Sequence, residues 1–320
     1  MLKKTLLSLL VPFFILTPLH AVAANDNSAS VKVKPIKVGA HSYYVQGLPG
    51  AASAENQGYM SNAGFVITPA GVVVFDSLGT PPLGEALIAQ IRKLTQAPIK
   101  RVIVSHYHAD HVYGLQAFKA IGAEIWAHEG GKEYFASDEL EWRLTQRRDE
   151  LFPWVDETTK VLAPDRWLST DEDFEMGGVQ FALRFVGPAH TPEDIAMFVK
   201  QDSMLFAGDL VFKGRVPYVG AADSKSWLAS LDKLLAFKVK VMVPGHGGVS
   251  HNAKKDLVLT RKYLSYLRKT MGAAVTELTP FEEAYAKTTW KQFEKLPAFN
   301  EANRANAYNT YILMEKESLK

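Results

Sequence analysis

The order of apolar and polar positions predicts runs of strands followed by strand–helix units, a succession that occurs twice along the chain. Short apolar and β-branched runs, bounded by polar residues and turn formers, indicate the strands. They are expected at residues 31–38, 42–46, 64–68, 72–75, 100–104, 124–127, 173–186 (a hairpin), 195–199, 203–207 and 239–243. Because no linker separates independent domains, we expect one α/β fold.

Apolar residues at helical spacing predict the helices. Leu83, Leu87, Ile91 and Leu94 form a stripe on a helix that begins at Pro81, a position where proline is well tolerated. Further helices are expected at residues 112–121, 226–237, 257–271, 280–287 and 304–316. Those within about 251–320 are expected to be an addition to the core.

The first 24 residues have the pattern of a secretory signal. Lys3 and Lys4 precede an apolar run over residues 6–16 that is too short to span a bilayer, and small residues at 21–24 offer cleavage sites. We therefore expect a mature periplasmic protein of residues 25–320, with no stable insertion in the membrane after cleavage. The alternative is an uncleaved membrane anchor.

Charge and cysteine content exclude several classes of protein. The sequence has 36 basic and 34 acidic residues, and removal of the signal with its two lysines leaves 34 of each. A balanced charge gives no support to binding of nucleic acid or of a membrane surface. The absence of cysteine excludes disulfides, thiolate metal ligands and a cysteine nucleophile.

The most informative stretch is SHYHADHVYG, which places His106, His108, Asp110 and His111 within six positions. It lies on the predicted turn between a buried strand and a helix, where loops carry function. In an extended segment His106 and His108 point to the same side, and the other two side chains can turn toward a neighbouring point. Imidazole and carboxylate are ligands that zinc and similar divalent metals accept.

Three further polar residues follow predicted strands. His190 lies among glycine and proline turn formers, Asp209 ends a hairpin, and His246 follows the strand at 239–243. Taken alone, each is more often a surface histidine or a turn former. Taken with the histidine-rich stretch, they complete a candidate metal site of seven residues.

These seven residues, in this order and spacing, resemble the H-x-H-x-D-H pattern and the downstream partners of the metallo-β-lactamase superfamily. The resemblance implies a four-layer αβ/βα sandwich, with two sheets face to face and helices outside, plus the extra C-terminal helices. It also implies two zinc ions per chain. One would be held by His106, His108 and His190, and the other by Asp110, His111 and His246, with Asp209 bridging them.

The same resemblance implies that Asp76, which ends the strand at 72–75, orients the metal loop. The alternative for Asp76 is a helix cap or a turn former. Asp209 resembles the bridging carboxylate of the hydrolase branch, as in glyoxalase II. Zinc β-lactamases lack this bridge, and many place a cysteine near a point where this chain reads LFAGDLVF.

A narrower resemblance covers most of the chain. The runs that carry it are GLPGAASAENQGYMSNAGF, SHYHADHVYGLQAFK, FAGDLVFKGRVPYVG and PAFNEANRANAYNTYILME. Together they are similar to the quinoprotein relay system zinc metallohydrolase group of exported proteins associated with periplasmic oxidation systems. The resemblance implies an association with periplasmic redox proteins and does not establish a substrate.

The expected activity is hydrolysis of an ester, thioester, lactam or similar bond in a small molecule, by a hydroxide that two metals share. Asp110 is placed to take or relay a proton as well as to bind metal. Three alternatives stay open: a β-lactamase, an iron site of the persulfide dioxygenase type, and a metal-binding accessory of a periplasmic quinoprotein oxidation system.

Two segments are candidates for substrate binding. Residues 47–62 are rich in glycine and lack a period, so we expect a mobile flap whose Tyr59 and Met60 cover the substrate. The alternative is a surface loop with Tyr59 anchored to the core. The second segment follows Asp209 and offers groups for a substrate carboxylate, or else solvent-facing loop residues: Lys213, Arg215 and Tyr218.

Residues 129–151 are strongly charged and helical in pattern, and we expect an insertion over one edge of the site with its charges on a solvated face. His128, directly before this segment, is interpreted as an ordinary polar strand end. A role for His128 as a further metal ligand is the alternative.

Overall fold

The computed structural model describes residues 28–319, so the predicted signal at 1–24 lies outside the described residues. The first of two sheets is seven-stranded, antiparallel as far as its fourth strand and parallel from there on. Its strands, in spatial order, are β1 (Pro35–Lys37), β2 (Ser42–Val45), β3 (Ala63–Thr68), β4 (Gly71–Phe75), β5 (Ile99–Ile103), β6 (Glu124–His128) and β7 (Arg166–Leu168).

The second sheet is five-stranded, in the order β12-β11-β10-β9-β8, and only its β11–β12 pair is parallel. Its strands are β8 (Glu172–Met176), β9 (Val179–Phe185), β10 (Ile195–Val199), β11 (Met204–Phe206) and β12 (Val241–Val243). The helices are α1 (Pro81–Leu94), α2 (Ala109–Val112), α3 (Leu115–Ala120), α4 (Lys132–Phe135), α5 (Asp138–Leu151), α6 (Ser224–Leu235), α7 (Ala253–Thr276), α8 (Phe281–Lys287) and α9 (Phe299–Ser318).

Strand β4 shows how alternation builds the layers. Val72 and Val74 pack with α1 and α3 on the outer face of the first sheet, whereas Val73 and Phe75 pack between the two sheets. A third cluster joins the outer face of the second sheet to α6, α7 and α9, with Trp227 among its buried members. The expected four layers and the extra C-terminal helices are confirmed. Across residues 28–319, no helix has the length and apolarity needed to cross a bilayer.

Several predicted elements differ in extent, among them the first strand, the helix over 112–121 and the last helix. The first strand begins only at Pro35, which has no N–H to donate to a ladder and therefore suits the start of an edge strand. The predicted helix over 112–121 is divided into α2 and α3 at Gly114. A Cβ atom there would lie 1.9 Å from the Ser77 carbonyl oxygen, so only glycine allows this approach. The last helix is longer than predicted and begins at Phe299.

Candidate metal centre

The seven predicted ligands all follow strands, and the structure brings their side chains together. The histidine-rich segment follows β5, His190 lies between β9 and β10, and His246 follows β12. Asp209 lies in a 3-10 turn directly after β11. Loops at strand ends therefore supply every ligand candidate, while the strands behind them are held by the core between the sheets.

The first cluster contains three histidines. The Nε2 atom of His106 lies 3.0 Å from Nδ1 of His108, and that atom lies 2.9 Å from Nε2 of His190. These nitrogens and one carboxylate oxygen of Asp209 all lie within 4.8 Å of one another. Three imidazoles and one carboxylate converging in this way match a ligand set that zinc accepts.

The second cluster contains Asp110, His111 and His246. Asp110 Oδ2 lies 3.5 Å from His111 Nε2 and 3.3 Å from His246 Nε2. The three ligand atoms lie within 4.8 Å of one another. Asp110 is the most exposed of the three and also lines the adjoining cavity, so it can contact a substrate as well as an ion.

Asp209 faces both clusters. Its Oδ1 atom lies 3.2 Å from His111 Nε2, and its Oδ2 atom lies 3.4 Å from His190 Nε2. The same Oδ2 atom lies 3.3 Å from His246 Nε2. One carboxylate is therefore within reach of ligands from both groups, which is the geometry that a bridging ligand requires.

Buried polar atoms without partners test whether these residues fit metal ions. Several buried side-chain atoms in the described part of the chain have no hydrogen-bond partner, and three of them belong to the two clusters and face a neighbouring ligand candidate: Asp110 Oδ2, His111 Nε2 and Asp209 Oδ1. A buried polar atom left unpaired costs stability, so unpaired atoms of this kind indicate a missing partner. All three belong to the predicted ligand set and all three can coordinate a cation, so the residues fit the metals that the sequence implies.

The electrostatics of the two clusters differ. Burial lowers the pKa of His106 and of His108 well below the ordinary value, which leaves both rings neutral, the form that binds metal. Burial acts the same way on His246, but Asp209 and Asp110 outweigh it and raise the pKa of His246 to about 9. In the absence of a cation, protons on the second cluster therefore balance its carboxylates.

Asp76 holds the metal loop from behind. Its Oδ1 atom accepts a hydrogen bond from the Ser105 backbone N–H at 2.7 Å. Its Oδ2 atom lies 2.8 Å from His111 Nδ1 and accepts from the Ser105 hydroxyl at 2.9 Å. These contacts orient the His111 ring with Nε2 toward the cluster, as the resemblance implied, whereas Asp76 caps no helix in the described chain.

Residues 60–62 also anchor the loops of the candidate ligands, a role for which no sequence pattern is visible. The Met60 carbonyl lies 2.8 Å from His246 Nδ1, which leaves Nε2 of that ring for the cluster. The Asn62 amide donates to the carbonyls of Pro244 and Gly247, at 2.8 Å each. The end of the 47–62 loop is therefore part of the framework that positions His246.

A cavity of about 520 Å³ opens onto the metal ligands. His108, Asp110, Asp209 and His246 form its floor. Three of the five predicted substrate-binding residues line it, namely Met60, Arg215 and Tyr218. The cavity is large enough for a small molecule and has the ligand atoms at one end.

Two predicted substrate-binding residues do not line this cavity, and these predictions are wrong. Tyr59 is only 2% exposed and packs in the core between the first sheet and its helices, because its ring is large and apolar. Lys213 donates from Nζ to the Val249 carbonyl at 2.7 Å and lies 3.4 Å from an Asp256 oxygen. Its ammonium is therefore drawn toward α7. The expected mobility of the 47–62 loop stays a prediction.

Helix α5 forms one wall of the cavity, as expected for an insertion over the edge of the site. On one face its charged side chains are partly exposed to solvent, as expected, and they also line the cavity. That face repeats at helical spacing and comprises Trp142, Arg143, Gln146, Arg147 and Glu150. The opposite wall includes Ala298, Glu301 and Ala302 at the start of α9. The helical spacing of these residues was visible in the sequence. The sequence did not show which face of the helix would line the cavity.

His128 takes no part in the clusters. Its ring stacks on Phe185 with centroids 3.8 Å apart, and its Nδ1 atom accepts a hydrogen bond from the Gly130 backbone. The interpretation as an ordinary strand end agrees with this placement.

Comparison with known proteins identifies the family of this chain. A sequence model described as "Metallo-beta-lactamase superfamily" matches residues 56–246, which contain all seven candidate ligands. The chain belongs to the metallo-beta-lactamase superfamily. Its extra helices α7, α8 and α9 lie beyond the matched residues.

Named relatives in this superfamily are hydrolases. The linear primary-alkylsulfatase of Pseudomonas sp. (strain ATCC 19151) is 26% identical over 67% of this chain and 47% of its own length. Metallo-beta-lactamase IND-1 of Chryseobacterium indologenes is 24% identical over 74% of this chain and 90% of its own. The chain thus spans about half the length of the alkylsulfatase.

A solved structure extends the likeness of fold. The stereoselective inverting sec-alkylsulfatase Pisa1 from Pseudomonas sp. superposes with a TM-score of 0.65 at 18% identity. The superposition covers 87% of this chain and 50% of that one. This likeness concerns the fold.

Proposed function

We propose that this protein is a dinuclear zinc hydrolase of small molecules. The observation that carries the proposal is Asp209, whose two oxygens lie 3.2 to 3.4 Å from ligand nitrogens of both clusters. An accessory that only stores metal needs no cavity over its ligands, whereas here four of the seven line one. A catalytic site is therefore the better supported function.

The grouping of the side chains into two clusters supports the ligand roles proposed here. His106, His108 and His190 would hold one ion, Asp110, His111 and His246 the other, and Asp209 would bridge them. Two zinc ions would acidify a bound water and polarise the substrate. Asp110 lies between the second cluster and the cavity, so its carboxylate can hold the attacking water and pass its proton toward the leaving group.

The bond is proposed to be an ester, a thioester or a similar acyl bond, and the alkylsulfatase relative adds sulfate esters to this range. β-Lactam hydrolysis is the second candidate. The lactamase relative, of which this chain covers 90%, supports it. The carboxylate of Asp209 opposes β-lactam hydrolysis, because the family resemblance implies that zinc β-lactamases have no bridging carboxylate at this point of the chain.

Zinc content and turnover test this function together. Protein purified without added metal is expected to hold about two zinc ions per chain by elemental analysis and to hydrolyse members of a panel of aryl esters, thioesters, sulfate esters and β-lactams. Asp110→Asn is expected to abolish hydrolysis while the far-UV circular dichroism is unchanged. One iron per chain with dioxygenase activity would overturn the proposal, and full turnover by folded Asp110→Asn would remove Asp110 from it.

We further propose that the chain is exported to the periplasm and associates there with redox proteins. The pattern of residues 1–24 supports export, and the runs that resemble the quinoprotein relay group support the association. Fractionation of a bacterial host that expresses the full chain tests it, with sequencing of the mature amino terminus. A cytoplasmic protein that retains Met1 would contradict export.

A further inference from the structure

Arg215 is a buried cation in the wall of the cavity, and it forms no ion pair with a carboxylate among residues 28–319. Only 9% of it is exposed. Its Nε atom donates to the Val216 carbonyl at 3.4 Å, and a terminal nitrogen donates to the Gly50 carbonyl at 3.5 Å. Both contacts are long, both acceptors are uncharged, and a guanidinium has further N–H groups beyond these two. Within the described residues, no carboxylate therefore pairs directly with this buried cation, although a buried charge ordinarily requires such a partner.

Arg215 lies close to the metal centre. Its guanidinium carbon is 5.8 Å from the centroid of Phe212, and the same ring stacks on the metal-ligand candidate His246 at 5.0 Å. Burial lowers the pKa of Arg215, and the carboxylates of Asp209, Asp110 and Glu301 oppose this shift. Metal ions held by Asp209 and Asp110 would offset the charge of these two carboxylates, and Glu301 would then be the remaining acid that acts on Arg215 without pairing with it.

The other arginines of the cavity differ from Arg215. Arg143 pairs with Glu139 at 2.6 Å, and Arg147 pairs with Glu150 at 2.6 Å, both along α5. Beside them on the same wall, Trp142 is 59% exposed and presents an apolar surface to the cavity. The cavity thus combines an unpaired cation near the metals with an aromatic wall.

We propose that the substrate is a small molecule with an anionic group, a carboxylate or similar oxyanion, which Arg215 holds while the bond to be cleaved lies at the metal centre. Its apolar part lies against Trp142. A guanidinium suits this role because its planar donors match an oxyanion with two parallel hydrogen bonds. The inference rests on the proposed function, since it names the substrate class of the same site.

Calorimetry with glutarate and pentanoate tests the inference without turnover. Both ligands carry one carboxylate for the metals, and glutarate carries a second at its far end. Zinc-loaded wild type is expected to bind glutarate about 10- to 100-fold more tightly than pentanoate, because a charge-assisted bond is gained. Arg215→Gln is expected to remove the difference, and Arg215→Lys, which keeps the charge without the planar fork, to keep part of it.

Lys213 provides the matched control. It is a cation two positions earlier in the same loop, but its Nζ donates to the Val249 carbonyl and it does not line the cavity. Lys213→Gln is expected to keep the full preference for glutarate. Equal affinities in wild type, a preference that survives Arg215→Gln, or an equal loss in Lys213→Gln would each overturn the inference.

Kinetics with two 4-nitrophenyl esters separate this inference from the proposed function. The monoester of glutaric acid is expected to exceed the pentanoic ester in kcat/KM by about 10-fold or more, and Arg215→Gln to remove the advantage mainly through KM. If neither ester is cleaved while calorimetry still shows the preference, ester hydrolysis fails and the anion site stands. If both are cleaved equally and calorimetry shows no preference, the anion site fails and the hydrolase stands.

Discussion

The metal centre and the walls of the cavity are built in opposite ways. The seven ligand candidates are largely buried, follow strands of the two sheets, and include four that lie within six positions of the chain. The walls come from α5, from the loop after Asp209 and from the start of α9, which are far apart in sequence. Changes at the centre should therefore affect every substrate, whereas changes in the walls should alter selectivity.

Segments that support each region sharpen this contrast. Behind the centre, Asp76 and Glu193 hold the backbone of the histidine-rich loop, at Ser105 and Tyr107. Behind the wall, Asn306 on α9 holds the loop of Arg215 and Tyr218. The Asn306 Oδ1 atom accepts from the Val219 N–H at 2.8 Å, and its amide nitrogen donates to the Pro217 carbonyl at 2.7 Å. Helix α9 is thus connected directly to the loop that lines the cavity.

The largest effect is expected for the stability of a variant of Glu193. Burial raises the pKa of Glu193 from 4.5 to about 7, although the hydrogen bond from the Tyr107 N–H acts in the opposite direction. The folded chain binds this proton more tightly than the unfolded chain, so the contribution to stability is complete below pH 4.5 and is lost as the pH rises through 7. Glu193→Gln cannot titrate. Its free energy of unfolding relative to wild type should rise by about 3 kcal/mol between pH 4 and pH 8.

Urea unfolding of the metal-free proteins across this pH range measures the difference. Glutamine can still accept the Tyr107 N–H at Oε1, so the comparison isolates the ionisation. A difference between the two proteins that stays constant with pH would show that Glu193 ionises normally in the folded state.

Asp76→Asn should weaken zinc binding by about 10- to 100-fold, the usual effect of losing a partner behind a metal ligand. Asparagine tolerates the left-handed backbone at this position, where φ is 62°, so the fold should persist. Competition with a chromophoric chelator measures the affinity. Asp165→Asn, which removes a carboxylate bonded to Lys119 on the surface, is the control. Zinc affinity equal to wild type in Asp76→Asn would separate Asp76 from the centre.

The smallest effect is expected for Asn306→Leu, because the loop of Arg215 loses two hydrogen bonds that hold it. KM should rise by about 10-fold, whereas kcat and zinc content should stay within about 3-fold of the wild-type values. Asn303 is the matched control. It is equally buried on the same helix and, like Asn306, it bonds the Tyr263 hydroxyl, but its other bond is to the Tyr285 hydroxyl and not to the loop of Arg215. Asn303→Leu should lower the melting temperature similarly and leave KM unchanged. Equal KM values in the two variants would show that Asn306 acts through stability alone.

Sequence patterns predicted most of the strands and helices because apolar periodicity reports directly on which face is buried. They failed where a side chain's surroundings come from distant elements. Tyr59 was expected to cover the substrate, yet its ring packs in the core between the first sheet and its helices. Lys213 and Arg215 have similar charge and lie two positions apart, but only Arg215 lines the cavity.

By itself, the sequence determined which side chains this protein offers as candidate metal ligands. Short-range spacing shows imidazoles and carboxylates at predicted strand ends, and the resemblance to the superfamily implied their division into two groups. Only the tertiary structure decided what the cavity presents to a substrate. The unpaired charge of Arg215, the exposed ring of Trp142 and the anchoring by Asn306 depend on how α5, α9 and the loop after Asp209 pack together. Such packing sums contacts between residues far apart in sequence, which no local pattern records.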